Sequence, residues 1–503
     1  MRIAELFATR RRRILWIVLV FTPLFLAWHL SQLHDRGLGG DARQFVAAGY
    51  HIAHGQGFSE IMDPDTAEPL DAYRPPAYPA FLALMIRAVP SLAHDRFEWF
   101  FHPQDFDGLH APPGMQAIKV AQVLLLLGMS VLAMLMAWEL CGSRWAAGLA
   151  LAATALHPFL TQHVNRFYSE LFATGLVTLF AWLFHLCVRR PLGLRDWWRP
   201  VAAGLTLGAL TLTLAQWWYI GPFCLAYLLF VAWRDPARRR GLVVSALVVG
   251  LLMAAVVTPW KLRNQERFGR AFITERGGIA LDLRSRYVMM TPEEIAASFF
   301  YWSRASVLRQ VLTALLDPEQ YHNLVREEGY YRAALRRSGE LEAAYPRAVA
   351  DRIQFNEAAR RILTHPWNYL RTLPSLTYRG MVDGHWSLCN IPLYCLCLYA
   401  LWRALRRRDW AGAALLAPFL GLFLFDSLVT HNIGRYNAVG TPLLLAGAMA
   451  GGREWWRRRG RLAAAEARLA RKRLTGAGAD GTEPEKTESK GTGGDQEPET
   501  SPR

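Results

Sequence analysis

Apolar residues in this chain gather into long uninterrupted runs separated by short polar connections, instead of recurring one helical face at a time. A water-soluble core asks for amphipathic spacing. A bilayer core about 30 Å thick asks instead for roughly 20 consecutive apolar residues in a helix, with no irregular backbone exposed to lipid. The pattern predicts about ten spans, near residues 14–30, 116–139, 145–160, 169–188, 200–217, 219–233, 241–259, 387–403, 410–429 and 434–451. The first run follows Arg10 to Arg13 as a secretory leader would, but it lacks an A-x-A-like cleavage site and is long enough to span. It is expected to stay as the first helix. The run Phe81 to Val89 is too short to cross and predicts a helix lying along the membrane surface.

Charge orients these spans. The formal charge of +16 does not point to nucleic acid, because the basic residues sit in short clusters between apolar runs and in the C-terminal tail. No nucleic-acid partner is expected. With both termini in the cytoplasm, the cytoplasmic connections are Gly142 to Arg144, Arg189 to Arg199, Arg234 to Arg240, Arg403 to Asp409 and the tail from Arg453. Three of these carry four arginines each, whereas residues 31–115 hold eleven Asp or Glu against five Lys or Arg. That asymmetry follows the positive-inside rule in every loop. Six cysteines lie in or beside apolar segments without CxxC spacing and read as small core hydrophobes.

The expected organisation is therefore an N-terminal transmembrane module over 1–259 with an outside loop at 31–115, and an outside helical segment over 260–386. C-terminal spans follow over 387–452, and then a basic tail over 453–503. Within the outside segment, Pro292 to Leu316 and Val349 to Leu363 are helix-like. Beyond Leu474 nothing apolar remains to bury, and disorder is expected.

On this topology the outer face collects ionisable groups. Asp41 lies in Gly39-Gly40-Asp41-Ala42-Arg43-Gln44-Phe45, and Arg74 and Tyr78 in Tyr73-Arg74-Pro75-Pro76-Ala77-Tyr78-Pro79. His163, Asn165 and Arg166 precede Tyr168-Ser169-Glu170, so Glu170 opens a spanning helix on the side of Asp41. Lys261 and Arg263 belong to Thr258-Pro259-Trp260-Lys261-Leu262-Arg263-Asn264, and Arg435 and Tyr436 to His431-Asn432-Ile433-Gly434-Arg435-Tyr436. An acid at the edge of a spanning helix is a functional candidate, yet Glu170 also suits the positive end of its helix dipole. Asp41 could equally cap a helix, and Lys261 and Arg263 could simply snorkel. Tyr73, Tyr78, Trp217, Trp218, Tyr219 and Trp260 fit an interfacial aromatic belt, and His51 and His54 read as surface or packing residues.

The order of these segments resembles the GT-C class of membrane glycosyltransferases, in particular the bacterial relatives of protein O-mannosyltransferases and aminoarabinose transferases. The resemblance spans roughly residues 14–451 and includes Thr364-His365-Pro366-Trp367-Asn368-Tyr369 before the eighth span. It implies an all-α membrane bundle with a large first periplasmic loop and a small helical periplasmic domain. It also implies inverting transfer of a sugar from a polyprenyl-phosphate donor to a lipid, glycan or protein acceptor at the periplasmic side of the bacterial inner membrane. Asp41 matches the family's first-loop catalytic Asp, and Glu170 its second-loop acid. This chain has Asp41-Ala42 where many relatives have Asp-Glu, and Glu170 where several have Asp.

The chemistry suits those residue types. A lipid phosphate departs as a stabilised anion, so one base on the acceptor suffices, and Asp41 is the expected base. Arginine grips phosphate bidentately, which makes Arg263 and Arg435 the leading donor-binding candidates, joined by Arg74, Lys261, Arg166, Tyr78 and Tyr436. A divalent metal on Asp41 and Glu170, as in some relatives, stays open, and no other cofactor is expected. Two other readings remain, a lipid or solute transporter and an oligosaccharide ligase or polymerase. The first is disfavoured by nearly uncharged span midplanes, with only Lys119, Glu139 and Asp426 toward span ends.

Overall fold

The computed structural model describes residues 3–34, 40–60, 72–89, 92, 113–190, 192–193, 195–303, 312, 316–325, 328–382 and 390–476. Among them every regular element is a helix. Among the described residues four helices are long and apolar enough to cross a membrane: Met115–Cys141, Ser169–Arg189, Pro236–Phe268 and Trp410–Val429. This is an all-helical, multi-pass membrane architecture. The chain divides into two compact units, Met1–Arg453 and Glu454–Arg503.

In the first unit, α1 (Ile3–Ser31) is followed by α2 (Asp41–Ala53) and α3 (Ala77–Ala88). Next come α4 (Pro113–Cys141), α5 (Arg144–Ala155), α6 (Pro158–Val164) and α7 (Ser169–Arg189). Then follow α8 (Trp198–Thr211), α9 (Trp217–Arg234) and α10 (Arg239–Phe268). The predicted span at 145–160 is two helices. Pro158 has no N–H to continue α5 and instead opens α6. The runs predicted at 200–217 and 219–233 form α8 and α9, shorter than or just at the length needed to cross unaided.

Helix α7 is the hub of the largest core cluster, burying Ala173, Val177, Phe180 and Phe184. Its Thr174 and Thr178 hydroxyls donate back to the carbonyls of Glu170 and Thr174 at 2.7 Å, so neither hydroxyl is left bare in the apolar core. Small residues permit close helix contacts. A Cβ at Gly208 of α8 would stand 2.6 Å from Val256 Cβ of α10, the kind of approach that replaces hydrophobic driving force inside lipid. The expected surface helix, α3, packs on α2, where Gly49 leaves room for Leu82.

The segment expected to lie outside is helical: α11 (Gly277–Arg286), α12 (Pro292–Trp302), α13 (Pro318–Leu324), α14 (Tyr330–Ala344), α15 (Arg347–Thr364) and α16 (Pro366–Val382). Thr291 and Glu294 form a capping box that starts α12. That helix stops at Trp302, short of the predicted Leu316, and part of the remainder lies outside the described residues. Fully buried Asp282 ties α11 to α15 by accepting from Arg361 at 2.6 Å and Gln354 at 3.1 Å. Helices α17 (Asn390–Arg406) and α18 (Trp410–Val429) follow, then a single helical turn, Gly434–Asn437, and α19 (Thr441–Gly476). The last predicted span therefore begins at Thr441, several residues after position 434.

The second unit carries the rest of α19, with Arg461 facing Glu454 at 3.9 Å and Trp455, Trp456, Leu462 and Leu469 exposed. The disorder expected beyond Leu474 falls, after Gly476, outside the described residues.

Candidate functional site

Three separate segments meet around Asp41. The first is the start of α2. Gly40, at φ 57° and ψ −129°, turns the chain into the helix in a conformation that L side chains avoid, and a Cβ there would lie 3.2 Å from Tyr168 Oη. Asp41 then opens the helix in its first turn, where the dipole favours a carboxylate. Its side chain does not cap the helix. It faces the other two segments instead.

Arg74 reaches Asp41 Oδ1 at 2.5 Å from just before α3. This arginine is fixed on every side. Its Nε and Nη2 donate to Gln44 Oε1 at 2.9 and 2.8 Å, its backbone N–H donates to Glu60 Oε1 at 2.6 Å, and its guanidinium stacks 5.1 Å from Phe45. The surrounding loop is stitched to the approach of α11, since Glu275 N–H donates to Ala72 O and Thr274 Oγ1 to Tyr73 O.

Arg435, on the Gly434–Asn437 turn, completes the group. Its Nη2 donates to Asp41 Oδ2 at 2.8 Å, its Nε to Glu170 Oε1, and its guanidinium lies 4.9 Å from the Tyr168 ring. The turn is shaped by Asn432, whose φ of 40° is tolerated because its amide donates to Leu376 O at 3.0 Å and Ser427 Oγ at 2.7 Å. Asn437 Nδ2 in turn donates to Asn432 Oδ1 at 2.6 Å. Gly380 of α16 permits this packing, since a Cβ there would stand 2.4 Å from Asn432 Nδ2.

Electrostatics follow from the contacts. Burial would push the Asp41 carboxyl up, but the guanidiniums of Arg74, Arg435 and Arg276 outweigh it and hold it below the usual carboxylate range. Arg435 is pushed the other way: burial opposes its charge, and Glu170 and Asp41 more than compensate. His163 is stacked 3.9 Å from Phe159 and held by Nδ1 donating to Phe159 O at 2.7 Å. Burial pushes it down to about 4, only partly offset by Glu170.

Beside this cluster opens a cavity of about 820 Å³. Arg166, Arg379, Arg435, His163 and His431 line its polar part, and Leu393, Tyr394, Leu444 and Leu445 from α17 and α19 line an apolar wall. Arg379 is buried over Trp302 at 4.9 Å and donates to Tyr287 Oη at 2.8 Å. Among the described residues the lining holds no carboxylate.

Of the residues singled out in the sequence, Asp41, Glu170, Arg74 and Arg435 thus form one ion-pair network. Arg166 shares the Tyr168 ring at 5.9 Å and the cavity, and Tyr436 sits beside the network with its ring 5.4 Å from His431. Three others lie elsewhere. Tyr78 has no exposed surface and is wedged among Phe45, Phe81 and Phe172, so it packs α2 and α3 rather than meeting a ligand. Lys261 covers Trp218 at 4.3 Å and Arg263 covers Trp260 at 4.8 Å, and neither lines the cavity. Sequence reasoning missed Gln44, Arg276 and Arg379. Arg276 sits 4.9 Å over Tyr73 and is pushed up, burial notwithstanding, by Tyr73, Tyr436, Asp41 and Glu60. No motif marks it.

A divalent ion between Asp41 and Glu170 does not fit this arrangement. Arg435 stands between the two carboxylates, and both Asp41 oxygens are taken by guanidiniums. Among the described residues no group of three His, Cys, Asp or Glu side chains is placed to hold a metal.

No family model and no curated protein matches the chain. Among solved structures it is similar to an Archaeoglobus fulgidus oligosaccharyltransferase in complex with Zn and sulfate, at 14% identity and TM-score 0.48, covering 90% of this chain and 51% of that one. The chain thus spans about half the length of that protein. It is also similar to ArnT from Cupriavidus metallidurans bound to undecaprenyl phosphate, at 17% identity and TM-score 0.36, covering 87% of this chain and 78% of that one. Both likenesses are distant.

Proposed function

We propose that this chain is a GT-C-type membrane glycosyltransferase that moves a sugar from a polyprenyl-phosphate donor to an acceptor hydroxyl or amine, with Asp41 as general base. One observation carries the reading. Arg435 joins the Asp41–Glu170 pair on one side and lines, on the other, an amphiphilic cavity rich in guanidinium groups. An anionic head among Arg166, Arg379 and Arg435 with a hydrocarbon chain along Leu393, Leu444 and Leu445 is what that cavity suits.

In this reading Asp41 takes the proton of the acceptor as the acceptor attacks the anomeric carbon. The carbon–oxygen bond to phosphate breaks on the opposite face, inverting the configuration, and the phosphate leaves with the bonding electrons. Arg435 and Arg166 balance the charge that gathers there, without need of an acid to protonate the leaving group. The same reading sets Asp41 and Glu170 at the periplasmic end of the bundle, both termini in the cytoplasm, and a lipid, glycan or protein as acceptor.

The test is transfer of labelled sugar from polyprenyl phosphate in membranes. Asp41→Asn should abolish it at unchanged protein abundance. Full activity in that variant removes Asp41 as the base. Analysis of the polyprenyl-linked sugar that accumulates when the protein is removed identifies the donor, a single sugar or a whole glycan.

A further inference from the structure

The two arginines on Asp41 are unequal. Arg74 has 7% of its side chain exposed and is bound as well to Gln44, whereas Arg435 has 35% exposed and forms part of the cavity wall. Only the second is within reach of a ligand in the cavity. It spends its donors on Asp41 and Glu170, leaving the base doubly ion-paired.

We propose that Arg435 couples donor binding to base release: a lipid-linked phosphate in the cavity draws its guanidinium off Asp41 Oδ2, so the base is freed only when the donor is seated. This rests on the glycosyltransferase reading and adds an order of events to it, donor before acceptor. A phosphate competes well for a guanidinium already facing it, because it offers the same bidentate geometry as the carboxylates. Glu170 keeps the turn from swinging free, and Arg74 stays on Oδ1 to hold the aim of the carboxylate. A ligand shifts such an equilibrium only by its preference for one state, so an uncharged polyprenol filling the same cavity should leave Asp41 paired.

The experiment is labelling of Asp41 by a small water-soluble carbodiimide, which attacks protonated carboxyls, read by peptide mass analysis on the full-length protein in detergent. Losing one guanidinium and gaining a nearby phosphate both favour the protonated carboxyl, so undecaprenyl phosphate should speed Asp41 labelling about tenfold. Undecaprenol should leave it unchanged. Inorganic phosphate alone, run in parallel, separates a free anion from a lipid head as the trigger; acceleration by undecaprenyl phosphate, with or without acceleration by the free anion, supports the coupling. In Arg435→Ala labelling should be fast from the start and gain much less from lipid than in the unaltered protein, and in Arg435→Lys, which keeps the charge but not the fork, intermediate. Undecaprenyl phosphate that binds, by tryptophan quenching, without accelerating Asp41 labelling in the unaltered protein overturns the coupling and leaves the glycosyltransferase reading standing. Failure of undecaprenyl phosphate to bind at all overturns both.

Discussion

Asp41 and Glu170 meet at one guanidinium: Arg435 donates to Oδ2 of the first and Oε1 of the second. Two like-charged carboxylates are thereby held with one cation between them. Asp41 has a second partner in Arg74, and Glu170 is 7% exposed with its Oε2 unpartnered. The two acids therefore differ in role, and substitution should separate them. Asp41→Asn is expected to cut transfer by roughly 10²–10⁴-fold, the range of a lost general base. Glu170→Gln should leave measurable transfer but weaken donor binding, because Arg435 loses one of its two anchors. Equal effects of the two substitutions on turnover would contradict this division.

Asn432 is expected to be the structural weak point of the site. Its side chain bonds Leu376 O, Ser427 Oγ and Asn437, and its backbone stands at φ 40°. Asn432→Ala loses those bonds and retains the unfavourable conformation, a cost of about 2–4 kcal/mol. Asn432→Gly relieves the backbone and should be milder. Denaturation midpoints of the purified variants check the order, and reversal of that order removes the backbone argument.

His163 predicts a pH response. Its proton affinity in the fold is depressed to about 4, against an unfolded value near 6.5, so between those two values the unfolded chain binds the extra proton. Stability is thus full above about pH 6.5 and falls as the pH drops toward 4, by roughly 3 kcal/mol at most from this group. Thermal midpoints from pH 4.5 to 7.5 should fall less steeply in His163→Asn. Parallel curves for the two proteins would place the titration elsewhere.

Topology can be read with cysteines at exposed positions. Glu319 is exposed in α13 and Arg195 in the connection before α8. A membrane-impermeant maleimide should label Glu319→Cys in intact cells and Arg195→Cys only after permeabilisation. The opposite pattern inverts the proposed orientation.

The long spans were legible because long apolar runs leave few alternatives: α4, α7 and α18 fall where hydropathy puts them, and α10 covers its expected span but runs on past residue 259 to Phe268. What failed locally was continuity: Pro158 splits one run, and the turn at Gly434 delays another. Within the site, Asp41, Glu170, Arg74 and Arg435 were legible as charges gathered on one expected face of the bundle. Gln44, Arg276 and Arg379 were not, because each acts through a partner distant in sequence, and a lone Arg276 before a helix looks like any solvated charge. Tyr78 misled for the opposite reason. An aromatic next to a prolines-and-tyrosine motif invites a ligand role, yet α2, α3 and Phe172 enclose it completely.

The glycine that precedes Asp41 has a broader consequence. Because Gly40 adopts a backbone geometry closed to other residues and abuts Tyr168, the compass heading of the carboxylate is set by the main chain one step upstream. Each residue of α2 advances the helix by about 100°, so slipping the helix start by a single position would turn Asp41 away from both arginines. Random mutagenesis should accordingly find position 40 intolerant even of alanine, a methyl group remote from every reacting atom, while many larger changes on the outer surface of the same helix pass unnoticed.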